Sequence, residues 1–463
     1  MIFIKLTILL FYKRILLLRF LMSATVLLFA STPSLASAAA YPPLEELSTY
    51  QMPTDMSRLH FYLITVDVGN QVYDNFGHTA LRVVDENTGS DTVFNWGLFD
   101  VSSGVVSFSF DFFKGVMNYQ LGLSSPQTEI AMYAQQRRTV WQDKINLNNT
   151  QKERLYRRLM WNAQSENRVY SYQYFFDNCT TRVRDYLNEA LSGKIAEFNT
   201  GVTAYSFRDQ IQSHYSSVGI VAFSLDVLLN SNIDRKISAW EEMFLPLSLR
   251  QRLMAIPSDV AVAGDLQMLL SESQILLEYQ PPQKQLNAYA VVAVVLLAPI
   301  LFLFAMLKKM PISYFTSHSR YGLRMPGFSF RLLAVLAVIT SVFSGVYGIL
   351  MLGSWFASDH LDLHHNLNLL LFWPTDLLGL IVACRWFFAI KPWPLSHSAT
   401  PFVYYYLIAH LAGMLIYFVI AVLGLSQQWL DGIAYFVVPS FFLYTLLLTL
   451  VGFGAIKPRN TLL

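Results

Sequence analysis

The sequence predicts an α+β globular domain joined to an all-α membrane bundle of about five helices. Three observations carry this. The 463 residues are 54% hydrophobic with a mean hydropathy of +0.38, too apolar for an ordinary soluble chain and too polar for a wholly embedded one. Long apolar runs are confined to the region after residue 285, whereas residues 41–285 mix short strands with amphipathic helices. Basic residues fall on alternate loops between the apolar runs, the pattern of a polytopic bundle.

Residues 1–38 read as an export signal. Lys5, Lys13, Arg14 and Arg19 precede the apolar "FLMSATVLLFA" and the small-residue "SLASAAA", where Ala36 and Ala38 fit an A-x-A cleavage site. An uncleaved anchor is the competing reading, but the apolar core is short for a span of about 20 residues. In the 41–285 domain, "LHFYLITVDVG", "HTALRVVD" and "TVFNWGLFD" read as strands and "TQKERLYRRLMWNAQ" has helical spacing. "YQPPQKQ", Tyr279–Gln285, is a linker. The 288–463 region then holds expected spans at about 288–307, 332–357, 367–384, 402–425 and 433–454, the third interrupted by Pro374 and Asp376.

Loop charge gives the orientation. Lys308, Lys309, Arg320, Arg324 and Arg331 follow the first span, Arg385 and Lys391 the third, and Lys457 and Arg459 the fifth, while "SDHLDLHHN" and "SQQWLDG" hold no Lys or Arg. The basic loops and the C-terminus are therefore expected in the cytoplasm and the 41–285 domain outside it. A formal net charge of +2 with no basic tract gives no reason to expect nucleic acid as a partner. No P-loop, dinucleotide fingerprint or paired-cysteine zinc site occurs, so no cofactor or metal is expected.

Cys179 and Cys384 are the two cysteines, and the second lies in an expected span, so a disulfide between them is not expected. A lone exported thiol is a liability unless buried or used. In "YQYFFDNCTTRVRDYL", Asp177 and Asn178 are good N-caps, so a helix should begin at or beside Cys179. Val183, Tyr186, Leu187, Ala190 and Leu191 then form its buried face, with Arg182, Arg184, Asp185 and Glu189 opposite. A helix N-terminus stabilises a thiolate and can hold an oxyanion. The same placement also suits a small residue capping a buried helix end. A nucleophile needs a base, and His78 stands between a Gly-containing turn and a strand. His60 and His214 have no better claim. Asn95 on the following strand is the preferred orienting group, and Asp100 near its end is a second polar candidate.

Together "FGHTALRV", "FNWGLFD", "KGVMNYQLG", "DNCTTRVRD", "AYSFRDQI" and "SAWEEMFLPLSL" resemble the Lnb N-terminal periplasmic domain family, over most of Leu59 to Leu253. The order His strand before Cys helix is similar to that of circularly permuted papain-like enzymes of the NlpC and lecithin-retinol acyltransferase type. The resemblance implies a permuted papain-like fold in the periplasm of a bacterial inner (cytoplasmic) membrane protein. It further implies a thiol acyltransferase in which Cys179 attacks a lipid ester, His78 serves as base and then acid, and an acyl thioester passes its chain to a lipoprotein amine. Membrane lipid or lipoprotein would be the partner. Tyr174, Asp177 and Arg182 flank the thiol and are candidate substrate contacts, as is Arg208; each also reads as a cap, packing residue or salt bridge. Trp240, Glu241 and Pro246 read as docking elements between helices. The loop bearing Asp359, Asp362, His364, His365 and Asn366 is expected on the same side as the thiol, as a headgroup contact or a hydrated turn. The rival readings are an NlpC-like cysteine amidase acting on peptidoglycan and a non-enzymatic lipid- or lipoprotein-binding scaffold with an inert Cys179.

Overall fold

Alternating apolar strands build a seven-stranded antiparallel sheet. The computed structural model describes residues 52–99, 110–111, 113–115, 117–262, 265–284, 287–308, 327–389 and 400–456. The export signal, Asp100, and the basic residues Lys309, Arg320, Arg324, Lys391, Lys457 and Arg459 lie outside them. The strands are β1 (Leu59–Val66), β2 (His78–Asp85), β3 (Ser90–Phe99), β4 (Asn118–Ser124), β5 (Val140–Ile145), β6 (Val169–Ser171) and β7 (Leu270–Leu277), in the order β7-β5-β1-β2-β3-β4-β6. The β2–β3 register sets Ala80 opposite Asn95, which brings the start of β2 beside the middle of β3.

Among the helices that accompany the sheet are α1 (Pro126–Gln136), α2 (Asn149–Asn162), α3 (Cys179–Ala190), α4 (Phe207–His214), α5 (Gly219–Leu228) and α6 (Pro246–Met254), with shorter ones at Lys194–Phe198 and Ala239–Glu242. Helix α3 packs on β2 and β3 with α2 against it. Its Val183, Tyr186, Leu187, Ala190 and Leu191 are all buried, as the spacing predicts; each large side chain so buried stabilises by about 1.5–3 kcal/mol. The Trp96 and Tyr186 rings meet edge-on at 5.6 Å. Their polar tips both donate to Asn162 Oδ1, at 2.7 and 2.9 Å, so α2 satisfies two buried donors with one amide.

Arg182 and Arg184, expected on the solvent face, are instead buried. Arg182 pairs through two bonds of 2.7 and 2.8 Å with Asp177 and lies 3.7 Å from the Tyr170 ring centroid. Arg184 lies 4.0 Å from the Trp240 centroid and donates to Asp185 and the Trp240 carbonyl. A planar guanidinium is buried readily when its edge meets a carboxylate and its face an aromatic ring.

The C-terminal region holds α7 (Ala288–Lys308), α8 (Gly327–Ala357), α9 (Gly379–Ala389), α10 (Thr400–Val422) and α11 (Val438–Ile456). Among the described residues, three stretches are long and apolar enough to cross a membrane: Ala288–Ala305, Arg331–Ala357 and Tyr405–Val422. The other two expected spans differ. The 367–384 segment is no single helix but 3-10 turns at Leu367–Leu370 and Pro374–Leu378, followed by α9. Pro374 has no N–H to continue a helix, and the Asp376 carboxylate takes the Trp373 N–H at 3.1 Å, the Tyr406 hydroxyl at 2.5 Å and the Ser344 hydroxyl, with His410 Nε2 at 3.0 Å. Gly348 of α8 meets this broken segment backbone to backbone: a Cβ there would stand 2.6 Å from Pro374 N. Interrupted backbone survives among apolar helices where protein covers it. The 433–454 segment begins as a π turn, Ile433–Val437, and its apolar part is the shorter Ile433–Thr449.

Helix α5 belongs to the N-terminal region in sequence, yet its Phe223 and Val227 share one apolar core with residues of α7, α8, α10 and α11.

Candidate active site

Cys179 is the first residue of α3, and the cap before it is heavily restrained. Asn178 is extended (φ −118°, ψ −178°), and its Oδ1 accepts the Thr180 and Thr181 N–H groups at 2.8 Å each. Its own N–H donates to the Thr181 hydroxyl at 2.7 Å, completing a capping box. Its Nδ2 donates to the Tyr174 and Phe244 carbonyls at 3.0 and 3.1 Å. The sulfur is thereby fixed at the positive end of a helix. Among the described residues the Cys179 N–H meets no carbonyl partner.

His78 opens β2, and its Nε2 lies 2.7 Å from Asn95 Oδ1. Which way the Asn95 amide points follows from its other neighbours. Nδ2 donates to Glu129 Oε2 at 2.9 Å and lies 3.5 Å from the Tyr133 hydroxyl, while Glu129 Oε1 takes the Ser124 hydroxyl at 2.6 Å. Both Glu129 oxygens accept, so Asn95 turns Nδ2 to Glu129 and Oδ1 to His78. Nε2 must then carry a hydrogen, which leaves Nδ1 as the nitrogen available to Cys179, with which His78 is electrostatically coupled.

Space for the ring comes from Gly97. The β3–β4 register slips between Trp96 and Leu98, and Gly97 there has φ +132°, with a Cβ that would stand 3.1 Å from His78 Cε1. That φ is open to glycine and strained for other residues.

The electrostatics favour a charged pair. Burial pushes the Cys179 thiol up, but the imidazole's charge and hydrogen bond, the Thr79 N–H and the Thr180 hydroxyl, 3.7 Å away, together bring it down to about 7. Burial lowers His78, and the neighbouring thiolate charge, its hydrogen bond and Asn95 outweigh that against the opposing Arg138, so its pKa is raised. Opposite shifts on facing partners are the signature of a thiolate–imidazolium pair. Burial and then the thiolate's charge raise the Tyr119 and Tyr172 phenols. They stay neutral, and their rings stack at 4.3 Å.

The remaining predicted residues have protein partners. The Tyr174 hydroxyl meets that of Tyr215 at 2.9 Å, and Asp177 pairs with Arg182. Arg208 is buried and bound to Asp226 at 3.0 Å and Asp234 at 2.5 Å. His60 pairs with Glu86 at 3.2 Å; His214 donates from Nδ1 to the Gln210 carbonyl at 2.8 Å and stacks on Phe76. Glu241 caps its own short helix through Ser238, Trp240 underlies Arg184, and Pro246 is the first residue of α6. In the 358–366 loop the Ser358 hydroxyl and Asp359 N–H donate to the Phe113 and Lys114 carbonyls at 2.6 and 2.8 Å. Among the described residues no three His, Cys, Asp or Glu side chains are grouped to hold a metal.

Sequence reasoning missed Glu129, Tyr133, Gly97 and Thr79. Glu129 reads locally as an acidic first-turn residue of α1, and only its distant partner Asn95 gives it another meaning.

The candidate site is a thiol of lowered pKa at a helix N-terminus of a mixed α and β domain, in a chain with helices able to cross a membrane. Residues 46–209 match the family model described as the Lnb N-terminal periplasmic domain, the family that the motifs resemble. The match runs from ahead of β1 into α4 and includes His78, Asn95, Glu129 and Cys179. No curated protein and no solved structure matches the chain.

Proposed function

We propose that this chain is a multi-pass thiol acyltransferase that moves an acyl chain from a lipid ester, the diacylglycerol of a lipoprotein, to the lipoprotein's N-terminal amine. The observation that carries the reading is the relay Glu129–Asn95–His78–Cys179, which leaves Nδ1 to exchange a proton beside the sulfur. The Cys179 thiolate attacks the ester carbonyl. As the C–O bond breaks, protonated Nδ1 gives its proton to the leaving glycerol oxygen, and a thioester remains. A deprotonated amine then attacks the thioester, its proton passes to Nδ1, and the thiolate leaves with the starting charges restored. The Cys179 N–H is the candidate oxyanion donor.

In this reading the His78 strand and Cys179 helix form a permuted papain-like core in the periplasm, the helices sit in the bacterial inner membrane, and the C-terminus is cytoplasmic. Tyr174 and the Asp177–Arg182 pair hold the turn before Cys179. The fusion to long apolar helices favours a lipid donor over a wall peptide, because acyl chains stay in the bilayer.

The test is intact-protein mass spectrometry after incubation with diacylated lipoprotein or phospholipid. A hydroxylamine-sensitive acyl adduct on Cys179, absent in Cys179→Ser and His78→Ala, is the expected result. Cleavage of a peptidoglycan fragment with no lipid adduct would replace this reading with an amidase, and a thiol inert to both would leave a binding scaffold.

A further inference from the structure

Besides the apolar core that α5 shares with the C-terminal helices, a set of polar contacts joins α4–α5 to that region. Arg208, 3% exposed, binds Asp226 and Asp234, and its Nη2 also donates to the Leu229 and Asn230 carbonyls at 3.1 and 3.2 Å. Both carboxylates reach onward into the apolar region. Asp226 Oδ2 accepts the Tyr289 hydroxyl of α7 at 2.8 Å, and Asp234 Oδ2 accepts the Trp429 N–H at 2.9 Å. Next to this knot, Asn230 holds the loop after α8: its N–H donates to the Asp362 carbonyl at 2.7 Å, and Nδ2 to those of Leu361 and His364 at 2.8 and 2.6 Å. Asn366 and Asn368 return bonds of 3.0 and 2.8 Å to the Val227 carbonyl at the end of α5.

A second tie leads to the thiol itself. The 358–359 bonds to the Phe113 and Lys114 carbonyls lie a few residues ahead of β4. The Met117 carbonyl accepts the Tyr172 N–H at 2.8 Å, and Tyr119 of β4 stacks on Tyr172, whose phenol is within reach of the Cys179 charge. Gly115, at φ +85°, allows Asp359 this close: a Cβ on Gly115 would stand 3.2 Å from that of Asp359.

From these contacts we infer that the Asp226–Arg208–Asp234 knot and Asn230 form a docking clamp of positioning residues. The clamp holds Cys179 at one height and orientation over the apolar helices, so that an ester embedded in a bilayer meets the sulfur while a water-soluble electrophile has no need of it. The inference rests on the acyl-transfer reading. Arg208 acts through placement and does not touch substrate. A buried, fully partnered guanidinium is suited to that role, because breaking one partner leaves an uncompensated charge and so the joint resists bending.

The experiment uses full-length protein in liposomes of phospholipid and diacylated lipoprotein, comparing wild type with Tyr289→Phe, Asn230→Ala and the double variant. Two rates are read: Cys179 acylation by the embedded lipid, and Cys179 alkylation by water-soluble iodoacetamide. The clamp predicts that the double variant loses about tenfold to 100-fold in lipid acylation, the scale of a displacement of about 1 Å, while alkylation stays within about twofold. Equal rates in both assays, or equal losses in both for Tyr289→Phe, which removes a single hydroxyl, overturn it. A wild type that takes no acyl chain from any lipid overturns the acyl-transfer reading, and this inference with it; a reactive wild type with equally reactive variants overturns the clamp alone.

Discussion

Glu129→Gln offers the sharpest probe of the relay, because it alters a group that touches neither Cys179 nor substrate. Glu129 presents two acceptor oxygens, one to Ser124 and one to Asn95 Nδ2. Glutamine keeps the shape but has one acceptor and one donor. If its oxygen stays with Ser124, its NH2 faces Asn95, and the Asn95 amide must turn over. Nδ2 then points at His78 Nε2, which has to become an acceptor, and the ring hydrogen moves to Nδ1. A neutral imidazole in that tautomer has no lone pair for the amine's proton. Losing a hydrogen bond to a charged acceptor costs about 1.5–3 kcal/mol, equivalent to about 10- to 100-fold in rate. The assay is pH-dependent alkylation of Cys179 alongside acyl-adduct formation, with the thermal midpoint as the folding control. The expected result is a thiol midpoint raised above that of wild type and a rate loss of this size in a folded protein. Unchanged pH profile and acylation rate in Glu129→Gln would refute the orientation argument.

Three further outcomes follow from the same geometry. Wild-type alkylation should rise through about pH 7, the value to which Cys179 is brought down; in His78→Ala the midpoint should move up past that of an ordinary thiol, about 8.5, since burial stays and the opposing cation is gone, and a midpoint still near neutrality would show that His78 does not set it. Gly97→Ala puts a Cβ 3.1 Å from His78 Cε1 at a φ of +132°, so acylation should fall about tenfold or more as the ring is displaced, and full activity in the isolated variant would show the ring has other room. Asn178→Ala removes the cap from two N–H groups and both side-chain bonds to carbonyls; a loss of about 2 kcal/mol, the upper end for a cap, should lower the thermal midpoint by several degrees, and an unchanged midpoint would mean that solvent replaces the cap.

What could be read in advance was local. The period-two strands containing His78 and Asn95, the Asn178 cap and the apolar face of α3 depend on neighbours within a turn or a strand, and the chain states them directly. The apolar runs declared their hydropathy in the same way, and three of them form helices of spanning length. Failures came where partners are remote. Arg182 and Arg184 looked solvated by helical position, yet the Tyr170 and Trp240 faces on other elements bury them. The broken 367–384 segment holds together through Asp376 and residues of α8 and α10, so hydropathy averaged along it read as a span.

By itself, then, the sequence determined a thiol at a helix N-terminus, a histidine and an amide on adjacent strands, and a run of apolar segments behind them, because capping, alternation and hydropathy act between near neighbours. Only the tertiary structure decided the direction of the Asn95 amide, through Glu129 at 34 residues' remove, and with it which nitrogen of a neutral His78 carries the hydrogen. It alone decided that Arg208 joins two parts of the molecule through buried carboxylates. Hydrogen-bond direction and ion pairing depend on which groups folding brings within about 3 Å, and no local pattern in the chain encodes that distance.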